Sequence, residues 1–506
     1  MSYTIDYFLD RITMYRLALY YLIALSLISF FLSVFGVFIY SPVSIILSLS
    51  FLVCVCWLTN KVFAKVYEAP TNIESVYITS LILFLIITPP QTIHGYVFLG
   101  WAGVLAIASK FILAIKKKHI FNPAAIAVLL TSFGIGRSAS WWIGNAYVML
   151  PVLIGGILIV KKTQRELLVS SFFITAFIIE LFFGLNRGVA ILSILDKTIL
   201  HSPFLFFGFI MLTEPLTTPP TKILQGTYGF IVGLIFSPQV RLGTFYSTPE
   251  LTLFLGNIFS YVVSPKQKLI LYLREKIQIS PDTFDFVFDL TEKIKYIPGQ
   301  YMEWMLEHIN PDSRGNRRYL TLASSPTENS LRIGVKFSPD GSSYKRSLLK
   351  MDNNSKIVAS QLSGEFVLPP DAGKKLVFVA GGIGVTPFRS MVKYLIDKNE
   401  KRDIVILYSN KLATEIVYKD VFDQAFQQLG IRTVYTLTDE TQIPIGWEGK
   451  VGRINEQVIG GEIPDFRERT FYLSGPHQMV TSFEETLYKM GISKRQIKKD
   501  FFPGYA

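Results

Sequence analysis

At about Pro265 the chain changes character. Before that point it is a succession of apolar runs, several close to twenty residues long and bounded by Pro, Gly or charge. From Lys266 onward, short apolar stretches alternate with polar residues and turn formers. A helix needs about 20 apolar residues to cross the hydrocarbon core of a bilayer, so the first half reads as written for lipid and the second for water. The whole-chain composition fits such a division. Half of the residues are hydrophobic, 17% are charged and the mean hydropathy is +0.37, too apolar for a soluble enzyme and too charged for a chain buried in lipid throughout.

The net charge of +12 does not point to nucleic acid. The Lys and Arg residues of the first half sit in short loops beside apolar segments, which is a membrane-topology pattern, and no basic stripe with interleaved aromatics occurs. The two cysteines, Cys54 and Cys56, both lie inside an apolar run. A disulfide framework, a four-Cys iron–sulfur site and a thiolate zinc site are therefore excluded, and no metal site is expected. Asp6 and Asp10 precede Arg11 and Arg16, with no small-residue cleavage site before the first apolar run, so the first helix reads as retained.

Apolar segments place ten spans at roughly 16–39, 42–59, 75–90, 94–115, 121–133, 146–160, 167–184, 201–213, 224–237 and 249–263. The short ones at 121–133, 201–213 and 224–237 read as broken or re-entrant helices. With the N-terminus inside, the inner loops carry Lys61, Lys65, Lys116, Lys117, Lys118, Lys161, Lys162, Arg165 and Lys222. The outer loops carry Arg137, Arg187, Lys197 and Arg241. That bias puts both termini inside, and an even number of spans puts the second half in the cytoplasm.

Two Pro-interrupted segments border short spans: His119-Ile120-Phe121-Asn122-Pro123-Ala124-Ala125 and Thr213-Glu214-Pro215-Leu216-Thr217-Thr218-Pro219. They read either as equivalent points of an internal repeat, which would mark a site at the repeat interface, or as ordinary Pro-terminated helix ends. Glu180 and Glu214 lie in or at the end of apolar spans, where a carboxylate is costly and by default functional, as a proton or Na⁺ site. A structural alternative stays open for Glu180, at the outer interface or paired with Arg187. His94, His119 and His201 never occur as a pair within one span, which disfavours haem.

The two Pro-interrupted segments resemble those of a family of homologous membrane proteins, the flavin-carrying integral components of the sodium-translocating NADH:quinone reductase and of the Rnf complexes, over about residues 1–265. The resemblance implies ten helices in two repeats and a flavin-dependent electron path across the bilayer. It also implies FMN attached to the Thr of a Ser-Gly-Ala-Thr motif. That motif is missing here, and Thr198, in an outer loop with Asp196, is its positional substitute.

Between Tyr272 and Leu368 the chain reads as short strands joined by turns, as in a small closed barrel. Pro298-Gly299-Gln300-Tyr301 opens one strand. In the next, Arg317–Thr321, alternation sets Arg318 and Leu320 on one side and Tyr319 and Thr321 on the other. Arg318 offers a guanidinium fork for phosphate and Thr321 a hydroxyl for a flavin ring edge. Gly341-Ser342-Ser343 precedes a helix expected at Lys345–Met351, whose backbone amides suit a pyrophosphate. The apolar strand Lys375–Ala380, the turn Gly381-Gly382-Ile383-Gly384-Val385-Thr386-Pro387 and the helix Phe388–Asp397 then form a phosphate cradle. Strands at Asp403–Tyr408, Arg432–Leu437 and Thr470–Leu473 alternate with helical stretches, as in an open parallel sheet.

In this order, Pro298–Tyr301, Arg318–Thr321, Gly341–Ser343, Gly381–Pro387, Ser474-Gly475-Pro476 and the terminal Asp500–Tyr505 resemble the ferredoxin–NADP reductase superfamily over nearly all of residues 268–506. The resemblance implies that Arg318 binds flavin phosphate, that Thr321 meets the reactive ring edge and that Gly341, Ser342 and Ser343 hold the pyrophosphate. Gly381, Gly382, Gly384, Thr386 and Pro387, with Gly475 and Pro476, would receive the nicotinamide nucleotide. Tyr319 and Lys336 complete the cofactor-binding candidates. Leu320 stands where the family has a stacking Tyr, leaving stacking to Phe502 or Tyr505, and Ser474 replaces a Cys near the hydride-transfer site. Thr321, Thr386, Ser474, Phe502 and Tyr505 are thus the catalytic candidates.

The resulting expectation is a multi-domain chain. An all-α polytopic membrane domain (1–265) is followed by an antiparallel β-barrel FAD-binding domain (268–370) and an α/β parallel-sheet NAD(P)-binding domain (371–506). Its cofactors are FAD and NAD(P)H, with FMN or another flavin for the membrane half, and its place is the cell inner membrane. Electrons would pass from NAD(P)H through FAD to a membrane carrier, quinone or redox partner, with ion transport as a coupled option. Two rival readings stay open: a membrane-anchored NAD(P)H:quinone or flavin reductase without ion coupling, and a transporter with a regulatory nucleotide-binding module. Since every hydride-transfer motif lies in residues 268–506, this fragment expressed alone is expected to be a soluble diaphorase. Assay of NADH and NADPH oxidation with an artificial acceptor checks it, and a folded, flavin-loaded fragment that oxidises neither nucleotide would contradict it.

Overall fold

The computed structural model describes residues 9, 12–67, 73–115, 118–243, 245–264, 269–290, 293–312, 315–353 and 355–500. The chain divides into two compact units near Lys268, one helical and one built on two sheets.

Among the described residues, five helices of the first unit are long and apolar enough to cross a membrane: Met14–Val34, Pro42–Val66, Ile93–Ile112, Ala146–Thr163 and Glu166–Asn186. Shorter apolar helices run over Ile73–Ile86, Pro123–Ile135, Lys222–Ile235 and Pro249–Val263, and a pair at Ile191–Leu200 and Phe204–Met211 is bent by 57°. This pair corrects the sequence expectation of an outer loop followed by a span from 201. Hydropathy registers apolar length, but the bend falls at His201-Ser202-Pro203, where proline cannot continue the preceding helix. Thr198 consequently sits not in a loop but in a π-helical turn, Asp196–Leu200, and is buried.

The starts of the short helices follow capping chemistry. Asn122 accepts a hydrogen bond from the Ala125 amide at 3.0 Å with Pro123 at the first helical position, and Thr248 with Pro249 repeats the arrangement. A side-chain acceptor and a ring that lacks an N–H suit the unpaired amides of a helix start. The Asn-Pro segment therefore opens a helix, whereas Glu214-Pro215 lies in a turn ahead of Lys222–Ile235. The two segments thus differ in local structure. Where helices Glu166–Asn186 and Lys222–Ile235 cross, an added Cβ on Gly229 would meet the Leu168 carbonyl oxygen at 2.2 Å.

Among the described residues, the second unit holds twelve strands in two sheets. The first is antiparallel, from β1 (Leu269–Ser280), β2 (Thr283–Asp289), β3 (Tyr301–Met305), β4 (Arg317–Thr321), β5 (Ser330–Lys336) and β6 (Lys356–Ser363), in the order β4-β3-β6-β1-β2-β5. It is not the continuous closed ladder expected from sequence. Its two end strands approach through the segment after β4, where the Ala323 amide donates to the Arg332 carbonyl at 2.7 Å. Leu271, Phe286, Phe288, Trp304, Leu331, Ile333 and Ile357 form its core. The short helix α1 (Ser343–Leu349) packs its Tyr344 and Leu348 into the same core.

The second sheet is parallel, from β7 (Leu376–Gly381), β8 (Ile404–Asn410), β9 (Arg432–Leu437), β10 (Lys450–Val451), β11 (Thr470–Ser474) and β12 (Ile497–Lys499), in the order β10-β9-β8-β7-β11-β12. Strand β7 is buried at every residue, as a central strand covered on both faces must be. Phe378 packs to one side with Phe388 of α2 (Thr386–Lys398) and Phe422 of α3 (Lys419–Leu429). Val377 and Val379 face the other side with Phe471 and Leu487. The order reverses between β7 and β11, and crevices at such reversals hold ligands in open α/β sheets.

Because the Gly229 contact is with backbone, Gly229→Val is expected to destabilise the helical unit by about 1–3 kcal/mol. Gly134, with nothing within 4 Å of an added Cβ, should tolerate Ala without loss. Melting of the two purified variants checks this contrast, and equal midpoints would contradict it.

Candidate active site

At the carboxyl end of β7 the chain turns through Gly382–Val385 into α2. Gly382 is left-handed (φ +51°) with open space where a side chain would project. Gly384 has none: an added Cβ would lie 2.6 Å from backbone atoms of Ser474 and Gly475. Gly381 faces Met479 and Pro476 as closely. The glycine turn and the Ser474-Gly475-Pro476 turn are thereby brought together at the topological switch, with Thr386 and Pro387 opening α2. The Thr386 hydroxyl donates to the Ile383 carbonyl at 3.2 Å, and the Ser474 hydroxyl to the Asp500 carboxylate at 3.0 Å. Phe502 and Tyr505 lie outside the described residues.

On the antiparallel sheet, Arg318 is buried in β4 with its guanidinium 4.9 Å from the centre of the Tyr344 ring. Burial pushes the Tyr344 phenol above its ordinary pKa, against the pull of the Arg318 charge. This contact sets Arg318 beside the Gly341–Ser343 turn. Ser342 caps α1 by accepting from the Lys345 amide at 3.2 Å. The Ser343 amide donates to the Asp312 carboxylate at 2.8 Å, so an acid side chain is held where the sequence reading puts a pyrophosphate. Thr321, 5% exposed, has a buried hydroxyl with no hydrogen-bond partner among the described residues. An oxygen in that condition is costly unless a further group meets it. It fits the flavin expected there, as does the Arg318 guanidinium, and the open approach at Gly382 fits the nicotinamide nucleotide.

Other candidates are engaged elsewhere. Tyr319 donates from its hydroxyl to Glu303 at 3.0 Å, and the Leu320 carbonyl accepts from Trp304 at 3.3 Å. Lys336 lies 3.2 Å from both Asp282 and Glu415.

Sequence reading missed the seam between the two sheets. Arg389 of α2 forms a fork with Glu328 at 2.7 and 3.1 Å and donates to the Ala323 carbonyl at 2.7 Å. Asp285 of β2, fully buried, accepts from Arg332 at 2.7 Å and from Tyr418 at 2.5 Å. Burial would raise the Glu328 carboxyl, but the Arg389 fork outweighs it and holds that group below its ordinary range. An acid amid the apolar residues of β2 was the available signal.

In the helical unit, the two Pro-interrupted segments meet. The Asn122 side chain donates to Glu214 at 2.9 Å, and its backbone amide donates to Asn257 at 2.8 Å. Asn257 donates to Tyr228 at 3.1 Å, and Thr217 to Glu214 at 3.2 Å. Arg165 donates to the carbonyls of Thr213 and Glu214. Glu180 is hydrogen-bonded to Ser237 and not to Arg187.

Comparison with known proteins adds four findings. The family described as oxidoreductase NAD-binding domain matches residues 378–485. A flavohemoprotein of Bacillus cereus is 28% identical over 217 residues, covering 41% of this chain and 53% of that protein. The glycine betaine monooxygenase reductase subunit of Chromohalobacter salexigens is 25% identical over 224 residues, covering 44% and 60%. The chain thus spans about half the length of the curated relatives it matches. Among solved structures, a ferredoxin NADP⁺ reductase from Neisseria gonorrhoeae with bound FAD and NADP is 20% identical at a TM-score of 0.40, covering 46% of this chain and 98% of that one.

Removing the guanidinium in Arg318→Ala is expected to weaken FAD binding by about 1.5–3 kcal/mol, the worth of a charge-assisted hydrogen bond. Flavin retention on dilution of the purified protein measures it, and wild-type retention would take Arg318 out of the site.

Proposed function

We propose that this chain, whose C-terminal half is a ferredoxin–NADP reductase-like module that binds FAD and NAD(P)H as an oxidoreductase, takes hydride from NAD(P)H and delivers electrons to an acceptor in a membrane. FAD supplies the conversion, since it accepts hydride and releases electrons singly. The chain's own residues bind and orient. Arg318, beside Tyr344 and the start of α1, offers positive charge to flavin phosphate. Thr321 offers its unmatched hydroxyl to the ring. Gly382 lets the nucleotide approach the backbone, and Gly384 lets the two turns close on one another.

The observation that carries the reading is the meeting of the glycine turn and the Ser474-Gly475-Pro476 turn at the topological switch, with α2 fastened to the segment that follows Thr321. A regulatory nucleotide module would need no such junction. For the helical half, the support is five apolar helices of spanning length among the described residues and the buried group Asn122, Asn257, Tyr228 and Arg165, gathered around the half-buried Glu214. Polar side chains gathered in an apolar interior are costly in an anchor and useful around a bound carrier. A second flavin is the carrier proposed.

The test is the flavin-to-protein ratio of the full chain against the fragment 268–506, with mass spectrometry of a peptide containing Thr198. The account expects one releasable flavin on the fragment and a further flavin on the full chain. Equal ratios, an unmodified Thr198 and no haem spectrum would reduce the helical half to an anchor or quinone site.

A further inference from the structure

Asp285, Tyr418, Arg389 and Glu328 converge where the two sheets of the reductase unit touch, and none of them belongs to the cofactor motifs. Gly334 of β5 makes room for them. An added Cβ there would lie 2.4 Å from the Tyr418 hydroxyl, 3.0 Å from the Thr386 methyl and 3.2 Å from an Asp285 oxygen. Tyr418 reaches this point from a left-handed backbone (φ +58°), a conformation that is costly for a residue with a side chain. Its hydroxyl donates to Asp285 at 2.5 Å, and its ring lies 5.4 Å from the Arg389 guanidinium. Arg389 and Ser390, one turn along α2 from Thr386, grip the segment that continues from Thr321. Arg389 donates to the Ala323 carbonyl at 2.7 Å, and Ser390 donates to the Ser324 carbonyl at 2.6 Å. Glu328, the partner of Arg389, also accepts from the Ser325 amide at 2.6 Å.

Buried ion pairs add little net stability, because desolvation offsets their attraction, yet each removed partner leaves an uncompensated group. Their effect is to permit one arrangement and penalise its neighbours. Here the arrangement fixed is that of Thr386, at the end of the nucleotide turn, against the strand that carries Arg318 and Thr321. We infer that Asp285, Tyr418 and Arg389 are positioning residues for hydride transfer, which hold the nicotinamide-binding turn at its working distance from the flavin strand. The inference rests on the function proposed above. Burial, with Asp285 beside it, drives the Tyr418 phenol well above its ordinary pKa, so its hydroxyl stays protonated and a donor.

The test uses full-length holoprotein in detergent and the variants Tyr418→Phe and Asp285→Asn. Anaerobic stopped-flow mixing with excess NADH or NADPH gives the limiting rate of flavin bleaching, repeated with nucleotide deuterated at the transferred position. Reoxidation of dithionite-reduced protein by ferricyanide gives a rate that needs no nucleotide. Misplacement of reacting groups by about 1 Å can cost on the order of a hundredfold, so the variants should bleach about ten- to a hundredfold more slowly and retain a deuterium isotope effect. Flavin content, half-saturating nucleotide concentration and the ferricyanide rate should stay near wild type. Variants that melt earlier but bleach at the wild-type rate would overturn the inference and leave the seam as packing. Tyr418→Phe removes a single oxygen and carries the test if Asp285→Asn fails to fold. Wild-type protein whose flavin neither nucleotide bleaches would refute the proposed function, and this inference with it.

Discussion

Hydride passes between two rings only when they are in contact, so a flavin unit and a nucleotide unit with separate cores must be held in one relation. In this protein that relation runs through α2. Its first residue, Thr386, ends the glycine turn, and one turn later Arg389 and Ser390 bond the carbonyls of Ala323 and Ser324, just past Thr321. The parallel sheet supplies the other half of the arrangement. Its strand order reverses beside β7, and there the two turns pack too closely for any residue but glycine at position 384. These two contacts place the glycine turn, the Ser474-Gly475-Pro476 turn and the end of β4 relative to one another.

Much of this was legible in the sequence because it is local. Strand, glycine turn and helix occur within about twenty residues of one another, and the burial of β7 follows from its unbroken apolar run. The seam was not legible. Asp285 and Tyr418 are 133 residues apart, and each looks ordinary in its own segment. The ion pairs of Lys336 were equally hidden. Asp282 and Glu415 reach this cation through folding that no local pattern records. The Ser343 amide likewise meets Asp312 across 31 residues. In the helical half, apolar length located the helices, but not the bend at 201–203 that carried Thr198 out of its expected loop.

The helical unit makes a related point about polar groups. Asn122 does two jobs, since its side-chain oxygen caps a helix while its nitrogen bonds Glu214. One side chain therefore both starts a helix and ties the two Pro-interrupted segments together. Asn257 and Thr217 complete the group, so the two interruptions, far apart in the chain, are joined in space.

Anaerobic titration of the full-length protein with NADH and with NADPH, followed by its visible spectrum, tests the central claim most directly. The account predicts that flavin absorbance bleaches and that the protein takes up more reducing equivalents than its FAD can hold. A flavin that neither nucleotide bleaches would contradict the reductase assignment. Uptake that ends when FAD is full would contradict electron delivery to a second carrier.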